Sequence, residues 1–176
     1  MIYSVVTPPA EPVSVSEVKT HARISHADED SYLGLLISAA RLYAEHYTQT
    51  AIGEQTRLFV GSGFPCQLTG LPVVSVGWAK TYFDDVLTTW DSADYFVTHK
   101  GITPRSSYPS FDDRPDAVQI QYVCGAAASE NVKLACLIMV SHWYEIREPV
   151  VTGTIVAKVP WSAQALLDRE RWGDYS

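Results

Sequence analysis

The sequence predicts an α+β protein: a small bundle of three to four helices, with a β-rich insertion between the second and third main helices. Three observations carry this. Apolar residues recur at helical spacing from Leu33 to Tyr47 and again from Val132 to Ile146. Between these stretches, residues 73–83 and 117–123 alternate with a period of two, as strands do. Gly- and Pro-bearing segments separate the two regimes. At 176 residues the chain fits one domain, with a helical core over about 1–53 and 126–176 and the insertion over about 54–125.

Ser14 and Glu17 stand three apart, the spacing of a capping box in which hydroxyl and carboxylate each satisfy an orphan backbone donor. A short helix is expected from Val15 to Arg23. Asp28 is a candidate N-cap for the next helix, with Glu29 and Asp30 near its positive end. That helix runs to Tyr47, and Leu33, Leu36, Ile37, Ala40, Ala44 and Tyr47 form one apolar stripe. Tyr32, Leu35, Ala39, Leu42 and Tyr43 broaden it. A helix apolar over so much of its circumference is central in a core or shared with a neighbouring subunit. Leu33, Leu36, Ile37, Ala40 and Tyr47, with Trp143 further on, are therefore the candidate core or subunit-interface residues.

In the insertion, Arg57–Val60 reads as a short strand closed by Gly61-Ser62-Gly63. Val73–Phe83 is the longest. Strict alternation puts Val74, Val76, Trp78, Lys80 and Tyr82 on one face, and Val73, Ser75, Gly77, Ala79, Thr81 and Phe83 on the other. Asp84-Asp85 turns the chain. Tyr95–Thr98 and Ala117–Val123 are further strands. Three prolines and several Ser and Asp residues make Gly101–Pro115 a long loop, expected to be mobile in the free subunit.

Ser129 is placed to cap a helix reaching about Arg147, and Pro149 stops it. Val150–Val159 follows as a loop or short extended segment. Pro160 suits the first turn of a final helix from Trp161 to about Arg171. The tail, Trp172-Gly-Asp-Tyr-Ser, is aromatic and expected to be loose.

Composition excludes several classes. Hydrophobic residues make up 47% and charged ones 19%, which is globular rather than disordered. A net charge of −7 without any run of Lys or Arg argues against a free-standing nucleic-acid binder, yet suits DNA passing nearby without sticking. Cys66, Cys124 and Cys136 form no CxxC pair, which fits buried thiols in a reducing compartment. No signal peptide and no membrane span are expected. Ten Tyr and five Trp are many for this length, and both types favour interfaces as well as cores.

The catalytic inventory is nearly empty, and no cofactor is expected. His142, Glu145 and Glu148 share a helical face, but HExxH or a comparable zinc spacing is absent. They read as surface or interface polar groups, as does His46 beside Glu45. Asp84-Asp85 and Asp112-Asp113 are adjacent pairs of the kind that turns favour for local hydrogen bonds. No GxSxG elbow, P-loop or GxGxxG is present.

Specific residues then carry a resemblance. Glu11-Pro-Val-Ser-Val-Ser-Glu-Val-Lys19, Ala22-Arg23-Ile24, Asp28-Glu29-Asp30 and Leu36-Ile37-Ser38-Ala39-Ala40-Arg41 resemble the start of bacteriophage head–tail connector proteins. So does the run into Ala44-Glu45 and Tyr47-Thr48. His142-Trp143-Tyr144-Glu145-Ile146-Arg147-Glu148 resembles that family's last long helix, which closes on W-Y-x-x-R-E. Pro160, Leu166-Leu167 and Arg171 resemble its terminal segment. The match covers both helical ends, roughly half the chain. The chain departs from the family in having Ala22 where a leucine is frequent, Ser129-Glu130-Asn131 where a proline often precedes the third helix, and a longer β region.

The resemblance implies a non-enzymatic adaptor of the virion, made in the host bacterial cytoplasm. Its partners would be the portal protein, the next neck or tail-completion protein and other copies of itself. The copies would form a ring of about twelve with two different faces in contact. DNA would pass through the lumen without sequence-specific binding. Trp172 and Tyr175 are the candidate portal contacts. Two other readings stand beside this one: a tail-completion or tail-terminator ring protein, and a small metal-dependent hydrolase using His142, Glu145 or His46.

Overall fold

A computed structural model describes residues 1–147 and 159–171. The fold is α+β, with four helices and an antiparallel sheet. The chain divides into two compact units, Met1–Pro9 with Glu54–Ala126 and Ala10–Gly53 with Ala127–Ser176.

The first unit holds seven strands: β1 (Ile2–Thr7), β2 (Gln55–Gly61), β3 (Val73–Phe83), β4 (Val86–Trp90), β5 (Tyr95–Thr98), β6 (Gly101–Pro104) and β7 (Val118–Cys124). Five of them form one sheet in the order β1-β2-β7-β3-β4, antiparallel at every junction, while β5 and β6 make a separate hairpin. Phe59, Ile120 and Ala79 stand in one cross-strand row, and all three are buried. Tyr122 is fully buried as well. Its hydroxyl donates to the Thr69 carbonyl (3.0 Å), and burial pushes its pKa up to about 12.

Three strands depart from what periodicity announces. Ile2–Thr7 alternates too little to stand out, yet it pairs along β2. Val86–Trp90 completes a two-residue hairpin on Asp84 and Asp85, both with positive φ (51° and 60°). Gly101–Pro104 corrects the reading of 101–115 as one long loop: it is a strand paired to β5, and the loop begins only after it. Within that loop Tyr108 stacks on Phe64 (4.4 Å between ring centroids), and Phe64 also meets Trp90 and Phe111 edge-on.

The faces of β3 are a second correction. Its register against β7 shifts between Val73 and Ser75 and again between Val76 and Trp78. Each shift is a bulge that inserts one residue and flips the faces, so two restore them. Val73, Val76, Ala79 and Thr81 therefore stand opposite buried Cys124, Tyr122, Ile120 and Val118. Val76 leaves the face that strict alternation gives it.

The second unit holds α1 (Val15–Ala22), α2 (Asp30–Thr48), α3 (Glu130–Glu145) and α4 (Trp161–Asp168). The capping box forms as its spacing dictates: Ser14 accepts from the Glu17 N–H, and the Glu17 carboxylate accepts from the Ser14 N–H (2.7 Å). This anchoring holds the Glu17 carboxyl below its ordinary pKa. Arg23 ends α1 in the left-handed conformation. Ser129 caps α3 by accepting from the Val132 N–H. Asp28 does not cap α2; the cap position is Glu29, without a side-chain capping bond. The core joins Val18 of α1, Leu33, Leu36, Ile37, Ala40 and Ala44 of α2, Val132, Ala135, Cys136, Met139 and Val140 of α3, and Ala163 and Leu167 of α4. Burial there pushes the Cys136 thiol up to about 12.

Candidate functional site

Among the described residues no group of three or more His, Cys, Asp or Glu side chains could hold a metal. The informative chemistry is a set of polar clusters and exposed apolar surfaces. Of the candidate core or interface residues, Leu33, Leu36, Ile37 and Ala40 are buried within their own unit. Tyr47 and Trp143 are half-buried against that core. The outward side of α2 instead presents Leu35 and Leu42, 66% and 57% exposed. Their spacing of seven puts them on one face. Leu134 of α3 and Trp161 of α4 are also exposed, Trp161 at 85%. Trp172 and Tyr175 lie outside the described residues.

Arg41 is the buried charge of the helical unit. Its Nε donates to Glu11 (3.0 Å), and its Nη1 lies 3.3 Å from the Glu45 carboxylate one turn on. Glu11 also accepts from the Ser38 hydroxyl, and Glu45 from the Ile52 N–H (3.0 Å). This network ties the entry to α1, the middle of α2 and the chain leaving α2. It also explains why a helix so apolar carries an arginine on its inner side.

A second cluster joins residues 115 or more positions apart. Arg147 Nη1 lies 2.7 Å from Glu29 Oε1, and the Tyr144 hydroxyl donates a short hydrogen bond to Glu29 Oε2. The guanidinium also sits over the rings of Tyr32 and Tyr144, at 4.9 and 4.7 Å from their centroids. The W-Y-x-x-R run, which begins on the last turn of α3 and ends just beyond it, thus places a hydroxyl and a guanidinium on one carboxylate at the cap of α2. The hydrogen bonds from Arg147 and Tyr144 hold Glu29 down at about 2. A carboxylate depressed in the folded state contributes stability above its unfolded pKa and loses it as pH falls toward the folded one. Urea midpoints of the wild type are therefore expected to fall between about pH 4.5 and pH 2 more steeply than those of Glu29→Gln. Parallel pH profiles of the two proteins would contradict this.

In the sheet unit, the Asp112 carboxylate accepts from the backbone N–H groups of both Asp84 (3.1 Å) and Asp85 (3.0 Å). Arg114 bonds Asp116 (2.6 Å), reaches Asp85 and stacks over Tyr82 (3.8 Å). The aspartates that adjacency alone suggested as pairs are thus a turn and its clamp. His142 is half-buried on α3, Glu145 is exposed at its end, and His46 is exposed on α2. No helix among the described residues is long and apolar enough to cross a membrane.

The fold is similar to that of chains from gene transfer agent particles. It is similar to a chain from the virion of a native gene transfer agent particle, with a TM-score of 0.78 and 20% identity. It is similar also to chains from the neck of an empty particle computed with C6 symmetry (0.77, 20%) and of a native one computed with C12 symmetry (0.75, 18%). Each alignment covers 97% of this chain and 95% of the other. No curated protein matches. The family model for head completion proteins matches residues 11–149, and the chain belongs to the head completion protein family. It is a structural virion protein of that family.

Proposed function

We propose that this protein is a head–tail adaptor that forms a ring of about twelve copies beneath the portal, a number matching the symmetry of one similar neck. The ring extends the DNA channel and docks the next neck or tail protein, without catalysing a reaction. The observation that carries this reading is the family match over residues 11–149, which spans α1, α2, α3 and the strands β2 to β7. The apolar face of Leu35 and Leu42 and the bare indole of Trp161 supply surface that a lone subunit leaves in water. The acidic balance, −7 overall, suits a lumen through which DNA slides.

The test is capture on immobilised cognate portal. The full chain is expected to bind in fixed stoichiometry. A chain ending at Arg171, lacking Trp172 and Tyr175, is expected to keep its circular dichroism and bind at least tenfold more weakly. Equal capture of both chains would remove the tail from the portal contact, and no capture of either would overturn the adaptor reading.

A further inference from the structure

Both edges of the five-stranded sheet are open among the described residues: β1 pairs only with β2, and β4 only with β3. Every residue of β1 except Tyr3 is exposed, and every residue of β4 except Trp90. Ile2, Val5 and Val6 on one edge, and Val86 and Leu87 on the other, hold apolar side chains in water. Neither strand contains a charged residue or a proline. Proteins that stay monomeric usually blunt such edges with Lys, Pro, bulges or a covering segment. Here that protection is confined to the far end of β1, where the register shifts between Val5 and Thr7 and Pro8 follows. Ile2–Val5 and Val86–Thr89 are left bare.

The direction of the strands adds a constraint. All four junctions are antiparallel, so across five strands β1 and β4 run the same way. A rotation that brings β4 of one copy beside β1 of the next, with the sheet continued, makes a parallel junction. Repeating that rotation uses two different surfaces at every contact, the arrangement from which closed rings are built.

We propose that β4 of one subunit pairs in parallel with β1 of its neighbour, so that the sheet continues from copy to copy around the ring. This rests on the ring reading above. A second copy is the occupant because the two bare edges match in direction, in length and in lack of charge. Parallel pairing over about four residues is weak by itself. The edge therefore acts when the portal gathers subunits, and leaves free ones apart. Phe83 and Val86 flank a two-residue turn and form its hydrogen-bonded pair, so Leu87 and Thr89 aim their backbone groups away from β3.

The experiment uses the full chain assembled on its cognate portal. In a Cys66→Ser background, which removes the exposed native thiol, Ser4→Cys and Thr89→Cys are combined and treated with a short bis-maleimide linker. Within one subunit these positions are four strand spacings apart, roughly 19 Å, beyond such a linker. The expected result is a ladder of covalent multimers on a denaturing gel, with neither single variant passing the dimer. Thr89→Pro removes one outward donor and spares the bonds to β3. It is expected to keep its circular dichroism and lose at least tenfold in assembly on the portal. Wild-type rings with no ladder, and Thr89→Pro assembling as the wild type does, would overturn the edge pairing and leave the ring standing. A crosslink from position 4 to the portal alone would also overturn it. Absence of rings from the wild type would overturn both.

Discussion

Replacing Arg41 by alanine is expected to destabilise the helical unit by about 3–5 kcal/mol, because one partner of a buried ion pair is removed and the other stays. Arg41 is 8% exposed and sits between Glu11 and Glu45, and the Glu45 side chain is itself only 10% exposed. Without the guanidinium, Glu45 keeps its hydrogen bond from the Ile52 N–H but loses the Arg41 charge one turn before it. For a chain of this length such a loss lowers the melting temperature by on the order of 10 °C. The double variant Arg41→Met with Glu45→Gln removes both charges and retains an acceptor for Ile52. It is expected to recover at least half of the loss, since uncharged replacements of buried pairs are often near neutral. A double variant no more stable than Arg41→Ala would contradict the account that the Glu45 charge left behind sets the cost.

Phe59→Ala is expected to be as severe in the sheet unit, at about 3–5 kcal/mol for an emptied aromatic site. Phe59 is fully buried, stands opposite Ile120 in the ladder and lies 5.1 Å from the Tyr3 ring. It also explains Gly61: a Cβ there would come within 2.6 Å of the Phe59 ring. Gly61→Ala is therefore expected to cost stability in the wild type and much less in Phe59→Ala. Denaturant unfolding of the four proteins forms a double-mutant cycle, and simple additivity would contradict the contact.

The helices were legible because their signals are local. Ser14 and Glu17 carry a complete cap within four residues, and the period of α2 and α3 repeats through several turns. The strands were less so, because a short strand is defined by its partner. Nothing within Ile2–Thr7 announces pairing with β2 across some fifty residues, and Gly101–Pro104 reads as a turn until Tyr95–Thr98 lies against it. The two bulges of β3 are set by β7, so Val76 could not be assigned its face from alternation. The polar clusters were hidden for the same reason. Glu29 looks like an ordinary first-turn acid, and only the fold brings Tyr144 and Arg147 onto it. The stripe on α2 was visible as a whole, but its division into buried Leu33, Leu36 and Ile37 and exposed Leu35 and Leu42 required its packing partners.

The central claim is that copies of this chain close into a ring on the portal. Native mass measurement of the purified complex with its cognate portal counts those copies directly. The account predicts a single species carrying one closed set of about twelve subunits per portal, a number that matches the C12 symmetry with which one similar neck was computed. A portal that stays bare beside a stable two-fold dimer of this protein would contradict it.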